Sequence, residues 1–470
     1  MQDNMRRFIA HPVIYKTNTV SKISIIPLKS KTFFNESEEY KVYIVPMCFS
    51  RDIPKEQPDT IVKVKDGKLT FEYSFKHECE YEIRFANSDD GIMQKTSVYA
   101  LKSDLFALRP LKGDFHVHTT RSDSDDGPSE VVANYRKMGY DFLVVTDHNR
   151  FFPSVEAQQA FADTKVDINV INGEEVHTPT TNLHIVHVCA NKSIDEYYVK
   201  NPDAYAKEVE EIEKTIPKSE YSHRLAMAKW ATSKIHEYGG LAVLPHPFWI
   251  QNLENAQYNI NLPFLKALFE SGWFDAYELI GAMNVHGNNL SVAYYNDLRQ
   301  NNKDIPFVAS SDSHKTLGDT RRHFGNFYTI VFAKENTKEA IAEAVKNRMT
   351  AAVEHIDKDC EENNEYKVHS SFRLAMYTRF LLENYFARTE EMCKAEGVLM
   401  REYSLGNVYA KHALEALSGR TDMMYKHFFG IDSICYYDTS KEIERHNKFT
   451  EVWNEYGVVS KGSKVVYTDK

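Results

Sequence analysis

The sequence contains no Cys-x-x-Cys pair, and its six cysteines (Cys48, Cys79, Cys189, Cys360, Cys393 and Cys435) are scattered along the chain. That spacing argues against a disulfide framework, and without a secretion signal such thiols read as reduced and mostly buried. Residues 1–16 hold two arginines but lack the apolar run of a signal peptide. Nor does any stretch approach the ~18 apolar residues that cross a bilayer. The chain is therefore read as cytoplasmic, with no membrane partner. Long Lys/Arg blocks are missing too, and 57 basic against 67 acidic side chains leave a net charge of −10. A duplex-binding protein would show the opposite balance, so nucleic acid is set aside as a partner. There is no internal repeat and no low-complexity tract, which removes repeat architectures from consideration.

What is present is ordinary in bulk: 42% hydrophobic and 26% charged residues, close to the averages for soluble domains. At 470 residues the chain exceeds one compact core, so two or three domains are expected. Residues 1–110 show strand-like alternation in Lys41–Val45, Thr60–Val64, Leu69–Phe75 and Tyr81–Phe85. Asp66-Gly67 and Asp89-Asp90-Gly91 are turn signals at hairpin spacing. This predicts an N-terminal β-sandwich without ligand-type clusters, a packing or recognition module. Over residues 111–352 short apolar runs alternate with helical segments: Gly113–His118, a helix over Pro128–Gly139, then Phe142–Val145, Ile168–Ile171, Leu183–Val188, Leu241–Leu244, Ala276–Ile280 and Phe307–Ala309. That rhythm predicts an α/β domain of parallel-strand units, of which a barrel is one closed form. Residues 353–470 carry apolar residues at helical spacing, as in Phe372–Arg388, Ala410–Leu417 and Thr421–Phe429, and are predicted to be mainly helical.

Ligand-type side chains recur at the ends of the apolar runs of the middle domain. His116 and His118 leave the first run two residues apart, hence on one face of a strand, and Asp123 follows. His148 ends the second run, Gly173-Glu174-Glu175 the third, and His184 and His187 lie on the fourth. His246 ends the fifth, and Asp312-Ser313-His314 closes the last. In a parallel barrel such ends open onto one face, so these groups converge. Imidazole and carboxylate donors with little sulfur suit Zn, Mn or Fe; six or more are too many for one tetrahedral ion, so two or three divalent ions are expected. A single buried histidine is more often a hydrogen-bonded core residue than a ligand, and the joint recurrence carries the inference. Strand parity lets only one of Glu174 and Glu175, and one of His184 and His187, face the metals; spacing favours Glu175 and His184. His177, His223, His236, His286 and His323 have no strong claim as ligands.

These residues also resemble a known family. His116-Val-His118-Thr-Thr-Arg-Ser-Asp123, Gly139-Tyr-Asp-Phe-Leu-Val-Val-Thr-Asp147-His148-Asn149 and Asp312-Ser-His314 are similar to the motifs of the polymerase-and-histidinol-phosphatase (PHP) superfamily, over roughly 111–352. Gly113-Asp-Phe-His-Val-His-Thr with Pro245-His246-Pro247-Phe-Trp resembles its carbaryl-hydrolase-like branch of metallohydrolases. The resemblance implies a distorted (β/α)7 TIM-like barrel holding up to three ions. His116, His118, Glu175 and Asp312 would hold the first; Glu175 would bridge to a second completed by His184 and His246; Asp123, His148 and His314 would hold a third. The usual Ser-Asp-Gly is here Ser122-Asp123-Ser124 with Asp125-Asp126-Gly127 following, so Asp125 or Asp126 could substitute for Asp123.

A hydroxide bridging two ions would be the nucleophile, because the cations lower the pKa of bound water toward ~7. His148, Asp312 and His314 are the candidate catalytic residues. Asp147 is expected to orient His148 or to cap the turn after it. Arg150, Lys315, Arg321 and Arg322 are candidate phosphate contacts, since arginine's planar fork matches phosphate oxygens. The leading expectation is a phosphoesterase acting on a small phosphorylated metabolite or nucleotide. One alternative is an amidase, carbamate or ester hydrolase on the same metals, with Phe248 and Trp249 as candidates for an apolar pocket; the other is an inactive binding protein. The acidic, helix-prone Asp195–Ser222 segment is predicted to form an insertion beside the site mouth, from which His223 could reach the site. Homo-oligomerisation is left open.

Overall fold

The computed structural model describes residues 6–48, 57–87, 93–178, 181–252, 257–317, 323–356, 366–455, 458–461 and 464–467. The chain divides into two compact units. One comprises Met1–Phe106, Phe380–Arg388 and Arg420–Lys470; the other comprises Ala107–Arg379 and Thr389–Gly419.

The first unit is built on strands β1 (Phe8–His11), β2 (Ile14–Lys16), β3 (Val20–Pro27), β4 (Glu39–Pro46), β5 (Thr60–Lys65), β6 (Lys68–Ser74), β7 (Glu80–Asn87) and β8 (Gln94–Leu101). They pair in the order β1-β3-β6-β5-β4-β7-β8-β2, antiparallel except for β2 beside β8. The β5–β6 turn is Asp66-Gly67, both at positive φ (+52° and +69°), the backbone of a tight two-residue hairpin. Alternate residues such as Ile23, Ile25, Val42, Ile44, Ile83 and Phe85 are buried together and form this unit's core. The Asp89-Asp90-Gly91 turn lies outside the described residues.

The second unit contains β9 (Arg109–Val117), α1 (Pro128–Lys137), β10 (Phe142–Val145), α2 (Phe152–Gln159), β11 (Asn169–His177), β12 (His184–Val188), α3 (Asp195–Lys200), α4 (Pro202–Glu213), α5 (Ser222–Glu237) and β13 (Leu241–Leu244). A short pair, β14 (Ile250–Asn252) and β15 (Gln257–Tyr258), precedes α6 (Leu262–Glu270), β16 (Ala276–Ile280), α7 (Val285–Gln300), β17 (Phe307–Ala309), β18 (Phe327–Ala333), α8 (Lys338–Lys346), β19 (Thr350–His355) and β20 (Tyr366–His369). The main sheet runs β17-β16-β13-β12-β11-β10-β9-β18-β19-β20. β10 and β13 are buried along their whole length, as expected of strands covered on both faces. Gly113 is required on β9 because a Cβ there would meet the Phe142 ring at about 2 Å.

The parallel-strand expectation holds only in part. β9, β10 and β11 are parallel, as are β13, β16 and β17, but β12 runs antiparallel to both β11 and β13. The link from His177 to His184 is too short for a crossover helix, so the chain must turn back on itself. The sheet also curls. Val117 bridges Ser313 in parallel, the His118 N–H donates to the Ser313 carbonyl at 3.1 Å, and the Thr329 hydroxyl accepts from the Ala309 N–H at 2.8 Å. Strands distant in pairing order are thereby laid side by side, giving a mixed α/β fold with a curled sheet. A closed seven-stranded barrel goes beyond what this pairing defines. The later helices, Phe372–Leu381, Ala387–Ser404, Val408–Leu417, Arg420–Phe429 and Ser440–Glu455, divide between the two units. Among the described residues, no helix is long and apolar enough to cross a membrane.

Candidate metal centre

Glu175, near the end of β11, is fully buried and surrounded by imidazoles. Its Oε2 lies 2.5 Å from His148 Nδ1, 3.4 Å from His116 Nε2, 3.5 Å from His118 Nε2 and 3.7 Å from His177 Nε2. Its Oε1 lies 2.8 Å from His184 Nδ1 and 3.3 Å from His246 Nε2. Asp312 Oδ1 faces His118 Nε2 at 2.9 Å and His116 Nε2 at 3.3 Å. Asp123 Oδ2 faces His314 Nε2 at 3.2 Å and His148 Nε2 at 3.4 Å. All nine residues proposed from sequence as ligands are therefore brought together.

The fold places each one by simple means. His116 and His118 leave β9 two residues apart, and their ring centroids are 5.0 Å apart. His148 follows β10 and bridges Glu175 in the backbone of the neighbouring chain segment. Because β12 is antiparallel, His184 enters at the start of its strand rather than the end, opposite His177. His246 and Asp312, just beyond β13 and β17, both take positive φ, +29° and +47°. For residues with a side chain that conformation is strained, and strain of this kind gathers at functional sites.

The electrostatics are those of a centre that wants cations. Burial alone would raise the Glu175 carboxyl, yet His184, His116 and their neighbours hold it well below the usual carboxylate range. The histidines hold Asp312 and Asp123 down in the same way against their burial. Conversely, burial would lower His148, but Asp123 and Glu175 push it up to about 10; His116, His246 and His314 also rise against burial through nearby carboxylates. His118, with burial dominant, falls to about 4. His177 Nε2 is buried without a hydrogen-bond partner, Glu175 Oε2 and His148 Nδ1 are pressed to 2.5 Å, and His116 Nε2 and His118 Nε2 stand only 3.1 Å apart. Ligand atoms converging in this way from imidazole and carboxylate fit divalent metal ions.

Several neighbours hold the histidines in place. Glu278 on β16 lies 2.9 Å from His116 Nδ1 and accepts the His246 N–H at 2.9 Å; a carboxylate behind a histidine turns its other nitrogen toward a metal. Sequence reasoning missed Glu278, since only the pairing of β16 beside β13 brings it there. His177 was also passed over, although period two places it on the face of Glu175. Asp147 does not orient His148. It accepts from the Thr119 N–H and hydroxyl and from Ser122 Oγ at 2.7–3.0 Å, so it fixes the loop that carries Asp123. Asp125 pairs with Lys315 at 2.9 Å, and Asp126 accepts from Thr316, leaving Asp123 as the carboxylate of this loop that faces the histidines. His187 turns away and meets Glu174 at 3.1 Å.

Of the proposed phosphate contacts, Lys315 pairs with Asp125, Arg150 is exposed, and Arg321 and Arg322 lie outside the described residues. His223 is an exposed partner of Glu213 rather than a member of the cluster. Helix α3 of the predicted insertion does touch it: the Tyr198 hydroxyl reaches Asn149 Oδ1 and the His177 carbonyl, both at 3.2 Å.

Residues 114–230 match the PHP domain family. A protein of Methanocaldococcus jannaschii, itself uncharacterized, is 27% identical over 149 residues, covering 29% of this chain and 68% of that one. Among solved structures, a two-domain Bacteroides vulgatus protein containing a predicted PHP-like metal-dependent phosphoesterase is 19% identical, with a TM-score of 0.38. That match covers 52% of this chain and spans 65% of the Bacteroides protein. A candidate metal-dependent phosphoesterase from Bifidobacterium adolescentis is 15% identical over 43% of this chain and 87% of its own, with a TM-score of 0.32.

Proposed function

We propose that the chain is a metal-dependent hydrolase, and specifically a phosphoesterase acting on a small phosphorylated metabolite or nucleotide. The observation that carries this reading is the packing of six imidazoles (His116, His118, His148, His177, His184 and His246) within 3.7 Å of one buried carboxylate, Glu175. The PHP-domain match over residues 114–230 supports it. His116, His118, Glu175 and Asp312 would hold one ion, Glu175 with His184 and His246 a second, and Asp123 with His148 and His314 a third. Bound divalent cations would supply an activated water at neutral pH and neutralise charge on a phosphoryl group. Glu278 keeps His116 and the His246 backbone in register for that task, and Asp147 holds the Asp123 loop. Arg150, on the exposed turn after His148, is a candidate phosphate contact.

The test combines metal analysis of the purified protein with parallel panels of phosphoesters and carboxylesters. Chelator-sensitive phosphoester hydrolysis restored by Mn or Zn is the expected result. Trp249, 37% exposed with its ring 5.7 Å from that of His246, sets an aromatic beside the cluster and favours the second reading, a carbonyl substrate. Carboxylester turnover without phosphoester turnover would make that reading the better one.

A further inference from the structure

We propose that His177 is a metal ligand in its own right, outside the nine residues of the family-like pattern, binding through Nε2 a divalent transition cation that it shares with Glu175. The inference rests on the metal-hydrolase reading and adds an ion position to it. Strand alternation puts His177 on the same face of β11 as Glu175. Its backbone is fixed on both sides, the N–H donating to Asn149 Oδ1 at 2.9 Å and the carbonyl accepting from the Tyr198 hydroxyl at 3.2 Å. The ring lies flat on His184, centroids 3.8 Å apart and planes 13° apart, and meets His148 edge-on at 4.4 Å.

This framing leaves Nε2 buried, without a hydrogen-bond partner, and 3.7 Å from Glu175 Oε2. A histidine kept only for packing would ordinarily pair its buried nitrogen with an acceptor or donor. The 3.7 Å separation is longer than a hydrogen bond. It is close to the roughly 3.4 Å between two ligands of a tetrahedral ion with bonds of about 2.0–2.1 Å. One ligand atom each of His148, Glu175 and His177 lies within 4.8 Å of the others, so His148 borders the same position.

The decisive variant is His177→Phe, which keeps a flat ring on His184 but has no lone pair. His177→Ala is the second variant, with added imidazole as a rescue. The metal-stripped 470-residue chain is titrated with Zn²⁺ by calorimetry and with Co²⁺ by visible absorption. Loss of an outer-shell partner alone weakens metal binding about 10–100-fold. Both variants should therefore hold one ion fewer, or one ion at least ~10-fold more weakly, and change the Co²⁺ spectrum, with metal-free melting close to wild type. Imidazole should restore the missing ion in His177→Ala. If both variants titrate like a wild type that binds several ions, His177 is a packing ring and this proposal falls while the metal centre stands. If wild type binds no ion, the metal-hydrolase reading itself fails.

Discussion

Glu174 and Glu175 are neighbours in sequence with opposite surroundings. Glu175 faces six imidazoles, whereas Glu174 accepts from Ser193 Oγ at 2.6 Å and the Ile194 N–H at 2.7 Å and meets His187 at 3.1 Å. Glu175→Gln removes the negative charge that would hold two ions, so metal content and hydrolysis should both fall by orders of magnitude. Glu174→Gln should keep the metals but destabilise the fold by about 1–3 kcal/mol, because an amide group cannot accept all three contacts. Calorimetric melting and metal analysis of the two variants separate these outcomes; metal loss in Glu174→Gln alone would reverse the assignment. Strand parity allows only one of the two carboxylates to face the histidines, and the spacing after Gly173 favours Glu175. Neither could show that Glu174 is buried and satisfied, for its partners arrive from residues 193–194, a contact made only in three dimensions. The same limit applies to Glu278.

Strand β11 is the element on which the cluster depends, and Gly173 is its tightest point. A Cβ there would meet Val144 Cγ1 at 2.7 Å, Thr146 Cγ2 at 2.8 Å and the His187 carbonyl at 2.9 Å. Gly173→Ala should therefore push β11 away from β10 and β12, with overpacking that costs about 1–3 kcal/mol, and should displace Glu175. A lower melting temperature together with weakened metal binding is expected; wild-type values for both would show that the strands yield without disturbing the cluster. Apolar runs bounded by turn residues make β10, β13 and β17 readable from the sequence alone. The direction of β12 was not, because run length and polarity are alike in parallel and antiparallel strands; the short link from His177 to His184 was the available clue.

At the scale of the whole chain, the metal cluster lies in one unit and His427 in the other. Burial, reinforced by His11 and Arg388, pushes His427 from the usual 6.5 down to about 3. The unfolded chain thus takes up a proton near pH 6.5 that the folded unit refuses until about pH 3. Stability is fully present above 6.5 and is lost as the pH falls through this window, by on the order of a few kcal/mol at its lower end. In His427→Gln, which keeps an acceptor for the Tyr436 N–H, denaturant unfolding of this unit should depend less steeply on pH between 7 and 4. An unchanged slope would show that His427 does not govern it. The alternation of the N-terminal strands was legible in sequence. That C-terminal residues 420–470 belong to the same unit was not, because helical periodicity does not name the surface a helix packs on.

The central claim is a multinuclear metal site gathered around Glu175, and anomalous X-ray diffraction from crystals of the Mn- or Zn-loaded protein tests it most directly. The account predicts at least two anomalous peaks flanking the Glu175 carboxylate, one of them also bordered by His116 and Asp312. A single peak, or peaks lying away from Glu175, would contradict it.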